Sequence, residues 1–245
     1  MTRYNQVFAV ISWGCAATKW LAKALNSHPE ILCLHAGNIA MARLGIPMDP
    51  IQYLTLLSNL GEGYIAVGDV HGLSTSAVSK VRGTFGSRFN AVIVVREPIA
   101  RLRSTLALYR HRRLEAPEFS HAESLIAHMN IHAKSEESKM FVHAVDMLNV
   151  VMEEISHGTI FKAEDLTANP NILAALTAEI TGGQIGMNQE WLKTCVGLKK
   201  VNAHAEGEGA ALNDWQVDVM RKVVRPESWR IYEGLGYVTP PFVDF

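Results

Sequence analysis

Val7-Phe-Ala-Val-Ile11 is an unbroken apolar run closed by Ser12-Trp13-Gly14, and it limits the fold more than any other feature of the chain. A half-exposed strand alternates apolar and polar residues, whereas a continuous run needs cover on both faces, as a parallel sheet between helices provides. After the turn, Trp20, Leu21, Ala24 and Leu25 recur at helical spacing, which predicts a helix over 18–26. Ser27-His28-Pro29 ends it, because the residue before a proline is pushed out of the helical region. Ile31-Leu-Cys-Leu34 follows as a second strand. Strand, tight turn, helix, strand is the order of a right-handed parallel crossover.

Tyr64-Ile-Ala-Val67 and Ala91-Val-Ile-Val-Val95 repeat the first run, and Thr159-Ile-Phe161 is a weaker copy. Each passes into polar residues: Gly68-Asp69-Val70-His71, Arg96-Glu97-Pro98 and Lys162-Ala163-Glu164-Asp165. Ligands of open parallel sheets bind beyond the carboxyl ends of the strands, so chemistry is expected there. Helices are expected around 99–110, 121–133, 138–156, 171–181 and 215–224, while 38–63 and 204–213 read as irregular. No repeat or linker divides the chain, and the expectation is an α/β protein of one domain over 1–245.

Apolar residues make up 48% of the chain, enough for a large core and against disorder. The net charge of −1 excludes a generally basic nucleic-acid coat and leaves anion binding to local patches. One such patch is 96–113, with six Arg against one Glu. Cys15, Cys33 and Cys195 have neither disulfide-framework nor metal-ligand spacing, which points to a reducing compartment. No apolar run reaches the ~20 residues of a membrane span, and no signal-peptide n-region precedes the first strand, so a cytoplasmic protein is expected. His128 and His132 stand at i, i+4 without a third ligand, and no metal is expected.

Two places suit an anion. Gly14-Cys15-Ala16-Ala17-Thr18-Lys19-Trp20 joins the first strand to a helix N-terminus, where unpaired N–H groups and the positive dipole end meet. It lacks the GxxxxGK[ST] pattern, since Thr18 and Trp20 flank the Lys. The second place is Arg96, directly after a strand, with Ser104 eight residues on; a guanidinium fork and a hydroxyl suit a terminal phosphate.

Taken in order, these pieces resemble the sulfotransferases that use 3′-phosphoadenosine-5′-phosphosulfate (PAPS). Ala16 to Leu21, with Asn26-Ser27-His28-Pro29, resembles that family's 5′-phosphosulfate loop and first helix, whose common forms read RSGTTLL or KSGTTWL followed by LNSHP. Arg96 to Ser104 resembles its 3′-phosphate motif RxPxxRxxS, and Phe161-Lys-Ala-Glu-Asp-Leu166 with Pro170 is similar to its YEDL…P segment. The resemblance spans 7–171, with a fainter echo in 200–204 and 215–237.

The resemblance implies a nucleotide-kinase-like three-layer α/β sandwich with a mostly parallel central sheet, moving a sulfuryl group from PAPS to an acceptor hydroxyl or amine without a metal. Cys15, Ala16, Ala17, Thr18 and Lys19 then hold the 5′-phosphosulfate, Trp20 stacks on adenine or else packs in the core, and Arg96 and Ser104 hold the 3′-phosphate. Residues 199, 200 and 204 add cationic charge on that side. His71 falls where the family carries its general base, with Asp69 either orienting the imidazole or serving as a turn residue. Cys15 stands where the family has a cation and Ala17 where it has glycine, which makes Lys19 the candidate replacement cation.

Two alternatives stay open: a PAP- or PAPS-binding protein without turnover, and a P-loop kinase or NTPase with Lys19 on phosphates and Asp69 at magnesium. Segments 38–63 and 109–140, including Met41, Leu44, Met48, Tyr53, Tyr109 and Phe119, are expected to wall the acceptor cleft, and their side chains are compatible with a small molecule such as an alcohol, a glycan, a lipid or a peptide side chain.

Overall fold

The computed structural model describes residues 5–12, 17–112, 120–186, 188–198 and 211–241. In chain order the elements are β1 (Gln6–Ile11), α1 (Thr18–Asn26), β2 (Ile31–His35), α2 (Gly37–Arg43), α3 (Pro50–Leu60), β3 (Ala66–Val70), α4 (Thr75–Phe85), β4 (Phe89–Val95) and α5 (Pro98–Arg112). Then follow α6 (Ser120–His128), α7 (Glu136–Asp146), α8 (Val151–Glu154), β5 (Thr159–Lys162), α9 (Ala163–Ala168), α10 (Pro170–Thr181), α11 (Gln189–Val196), α12 (Asp214–Val223) and α13 (Pro226–Gly234). The chain packs as two compact units, Met1–Val95 with Glu153–Val201, and Arg96–Met152 with Asn202–Phe245.

The first unit holds a five-stranded sheet in the order β2-β3-β1-β4-β5, every pair parallel. The strand order reverses at β1, whose two neighbours continue the chain in opposite directions across the sheet. Both faces of β1 are closed. Phe8 and Val10 belong to a core with Trp20, Leu21 and Leu25 of α1 and Leu173 and Leu176 of α10. Val7, Ala9 and Ile11 on the other face are no more than 1% exposed, and α3 and α4 pack against β3 and β4. The continuous apolar run thus has the physical cause expected of it: helices cover both sides of the sheet. Phe8 lies opposite Gly68 in register. A Cβ at Gly68 would stand 2.5 Å from the Phe8 ring, so only glycine lets the ring lie flat on β3.

The residues resembling LNSHP lock the end of α1. Asn26 Oδ1 accepts from the Cys33 amide at 3.1 Å, tying the helix to the next strand. Ser27 Oγ donates to Ala24 O at 2.7 Å and accepts from Trp191 Nε1 at 3.0 Å, while His28 meets the Trp191 indole edge-on at 4.9 Å.

Three expectations are corrected. The third strand runs from Ala66 to Val70 rather than 64–67: Tyr64 turns back to Gly61, and the polar Asp69 is tolerated inside the ladder because its carboxylate is fully hydrogen-bonded. The stretch 38–63 contains two helices. α3 starts from a capping box in which Asp49 accepts from Ile51 N at 2.9 Å and Gln52 Oε1 accepts from Asp49 N. α2 buries none of its residues, so no apolar stripe announced it. The predicted helix over 138–156 is α7, a 3-10 turn at Met147–Val150 and α8.

Within the second unit that 3-10 turn carries a buried hub. Asn149 Nδ2 donates to Val223 O at 2.9 Å, and its Oδ1 accepts from Arg225 N at 2.8 Å and Ser228 Oγ at 3.0 Å, fixing the bend between α12 and α13.

Two measurements test the local chemistry of the first unit. Ala17 precedes α1 at φ 56°, ψ 23°, a left-handed conformation that costs an L-residue about 1–2 kcal/mol. Ala17→Gly removes that cost and loses about 0.4–1 kcal/mol of it to the freer unfolded chain, so the urea midpoint is expected to rise modestly; an unchanged or lower midpoint contradicts the strain. Burial holds the His28 pKa below 6.5 against the raising effect of Glu30. The unfolded chain therefore binds the proton first on acidification, and stability present above pH 6.5 is lost as pH falls through the folded value. Urea titrations of wild type and His28→Gln at several pH values should diverge on the acid side, with the wild type steeper.

Candidate functional site

The carboxyl ends of β1, β2 and β3 bring together Ser12, Thr18, His35, Asp69 and His71 in the first unit. His71 is the first residue after β3 and takes φ 70°, in the left-handed region. Its amide donates to Val10 O at 2.9 Å, and Nδ1 makes a short hydrogen bond with the carbonyl of Ser12. A carbonyl only accepts, so Nδ1 carries the proton and Nε2 is left with its lone pair. That is the tautomer a general base requires. Strained backbone held by two hydrogen bonds at a strand end is a feature of functional sites.

His35, which the sequence reading passed over, ends β2. Its ring stacks on His71 with centroids 6.1 Å apart at 23°, and its Nε2 lies 3.1 Å from Thr18 Oγ1. The signal was present: a histidine directly after the apolar run Ile31 to Leu34 occupies a strand end, where ligands of parallel sheets collect.

Asp69 neither orients the imidazole by a hydrogen bond nor serves as a turn residue. It is 1% exposed within β3, and its oxygens accept from Ala36 N at 2.9 Å, Gly37 N at 2.7 Å and the Tyr53 hydroxyl. The backbone is shaped around it: a Cβ at Gly37 would lie 2.9 Å from Oδ2, and one at Gly72 2.5 Å from Cγ. Burial raises its pKa against the lowering effect of Tyr53, Gly37, Ala36 and His71. Burial and the neighbouring carboxylate push the Tyr53 phenol far up, so it stays a donor. Tyr53 is therefore a buried structural residue, not a wall of an acceptor cleft.

Thr18 is buried at the start of α1, and Lys19 is exposed in its first turn. Trp20 is 1% exposed and encloses its indole in the core with Phe8 and Leu21, so of its two readings the structure describes the core contact; no face is open to a purine. Ser12 Oγ is buried and finds no hydrogen-bond partner among the described residues. Cys15 and Ala16 of the loop lie outside the described residues, as do 199, 200 and 204.

The second unit begins with the Arg96 site. Arg96 Nη1 donates to Ser104 Oγ at 2.7 Å, bringing together the two residues that the sequence paired at a spacing of eight. Glu97 sets the geometry by capping α5, its carboxylate accepting from Ile99 N at 3.0 Å and from Ala100 N. Arg101, one turn on, is 3% exposed and donates to Tyr232 OH at 3.3 Å, so it is part of the interior. Further along α5, Arg110 pairs with Glu137, and both line a cavity of ≈ 350 Å³ together with Leu106, Phe141 and Trp215. Arg110, Ser135, Glu137 and Ser138 of its lining fall in the stretch 109–140 that the sequence assigned to an acceptor; Phe119 lies outside the described residues. Among the described residues no three His, Cys, Asp or Glu side chains are grouped to hold a metal, and no helix is long and apolar enough to cross a membrane.

No protein-family model matches the sequence, and no curated protein does. Solved structures do match. A sulfotransferase from Alicyclobacillus acidocaldarius aligns over 91% of this chain and 98% of its own, at 13% identity and a TM-score of 0.49. The sulfotransferase domain from the curacin biosynthetic pathway aligns over 96% of this chain and 99% of its own, at 11% identity and a TM-score of 0.52. Together with the parallel sheet order around β1, the second alignment shows that this chain is built on the α/β fold of a sulfotransferase.

Proposed function

We propose that the protein is a sulfotransferase that moves a sulfuryl group from PAPS to an acceptor hydroxyl or amine, with His71 as general base. The single observation that carries this is the protonation pattern of His71: Nδ1–H is committed to the Ser12 carbonyl, so Nε2 is the basic nitrogen, on backbone held in a left-handed conformation at the end of β3. PAPS supplies the sulfuryl group and leaves as 3′-phosphoadenosine 5′-phosphate (PAP). His71 Nε2 takes the acceptor's proton as its oxygen or nitrogen bonds to sulfur.

The residues present fit such a nucleotide in three respects. Arg96 and Ser104 are already paired at 2.7 Å, a forked cation beside a hydroxyl for the 3′-phosphate. Lys19 sits in the first turn of α1 with no acidic neighbour in that turn, leaving its charge for the 5′ end and for the negative charge that builds on the bridging oxygen. The buried Ser12 hydroxyl, which has no hydrogen-bond partner among the described residues, precedes the loop directly. Trp20 contributes core packing instead of adenine stacking.

Kinase chemistry is the poorer fit. Asp69, its metal carboxylate, already accepts from two amides and the Tyr53 hydroxyl. A binding protein without turnover draws support from the left-handed Ala17 and from Cys15 in the place of a cation.

Calorimetric titration with PAP separates these possibilities. Arg96→Ala removes a charge-assisted contact of about 1.5–3 kcal/mol and is expected to weaken PAP by roughly ten- to a hundred-fold; affinity equal to wild type removes the 3′-phosphate role. With a panel of alcohols, phenols and amines as acceptors, His71→Ala should lower turnover by about 10²–10⁴-fold while PAP affinity holds. Turnover retained in that variant refutes the base. Tight PAP binding by wild type with no product from any acceptor selects the binding protein.

A further inference from the structure

Thr18 and His35 form a contact that no motif accounts for. Thr18 is the first residue of α1, buried, and its Oγ1 lies 3.1 Å from His35 Nε2. A threonine hydroxyl has one proton to give. If it gives that proton to His35, it shows only lone pairs to its surroundings, which repel an anion. If His35 Nε2–H donates instead, the hydroxyl keeps its proton and turns it outward as a donor beside the orphan amides of the helix start.

Resting on the sulfuryl-transfer reading above, we propose that His35 is a positioning residue for the donor nucleotide: its Nε2–H donates to Thr18 Oγ1 and so holds the Thr18 hydroxyl as a donor to the nucleotide's 5′ group. The local structure is built to keep His35 in place. Its neighbour Ala36 takes φ 53° and donates to Asp69 Oδ1 at 2.9 Å, while Ala36 N also reaches Val70 O at 2.9 Å. On its other side the ring is backed by His71, 6.1 Å away and 23° from parallel. In this arrangement the two stacked imidazoles hold opposite tautomers: the Ser12 carbonyl fixes the His71 proton on Nδ1, and the proposed donation to Thr18 puts the His35 proton on Nε2. One ring then serves the base and the other the anion donor.

The test is a double-mutant cycle read by PAP titration, with imidazole nitrogen shifts recorded by NMR on the wild-type complex. His35→Phe keeps an aromatic ring against His71 and removes the donor; it should weaken PAP about five- to ten-fold, the worth of one hydrogen bond. Thr18→Val should weaken it at least as much, and His35→Phe should add nothing in the Thr18→Val background. His35→Gln, whose amide N–H can replace the imidazole donor, should restore most of the affinity. The NMR spectrum of the complex should show His35 protonated on Nε2 and His71 on Nδ1. Unchanged PAP binding in folded His35→Phe, additive effects of the two substitutions, or an Nδ1-protonated His35 each overturn the proposal. A wild-type protein that fails to bind PAP overturns instead the sulfuryl-transfer reading on which it rests.

Discussion

Burial of β1 on both faces and both edges is the constraint from which the first unit follows. A strand paired in parallel on each side cannot return by a hairpin, so every connection has to cross over, and α1, α3 and α4 among the connecting helices pack on the strands. All five strands then end on one edge, and the loops leaving that edge carry the polar residues the interior excludes. The order β2-β3-β1-β4-β5 places the reversal at β1, so a strand with an unbroken apolar run also feeds the loop into α1. Core and site are two consequences of one pairing pattern.

Asp69 shows how a buried charge is used to hold that edge in shape. Removing a carboxylate from water is costly unless its lone pairs are taken up, and here two amides and a phenol take them up. The amides belong to the residues just after His35, and the carboxylate to the strand that ends just before His71. One satisfied group therefore sets the positions of both imidazoles without touching either by a described hydrogen bond. Gly37 and Gly72 are needed because any Cβ would intrude on the carboxylate or on Tyr53. The same group helps push the Tyr53 phenol up, and burial pushes its own pKa up against the lowering effect of the groups that donate to it.

The strands were legible because apolar runs flanked by polar residues leave little choice of period; β1 and β4 were missed by only one or two residues at their starts. That Arg96 and Ser104 belong together was legible because spacing on a capped helix is nearly fixed; their direct 2.7 Å hydrogen bond was not foreseen. α2 was not, since a helix with no buried residue carries no stripe, although the Asp49-Pro50-Ile51-Gln52 box announced α3 to a reader looking for caps. Asp69 was misplaced because its partners Ala36, Gly37 and Tyr53 are distant in sequence, and burial of a carboxylate is decided by such partners. His35 escaped for a related reason: its importance lies in Thr18 and His71, neither of which is near it in the chain.

The departures at the start of α1 deepen the case for an anion there. Ala17 is left-handed without the relief glycine would bring, and no side chain caps the helix. Lys19 places a positive charge against the positive end of the dipole, unfavourable by about 0.3–1 kcal/mol, and no acidic residue in that turn offsets it. A helix selected only for stability would have an Asp, Asn, Ser or Thr cap and an acidic first turn, as α3, α7 and α12 largely do. The missing cap and the unpaired charge are relieved once a dianionic group sits at the helix start: the orphan amides acquire an acceptor, the dipole a counter-charge and Lys19 a partner.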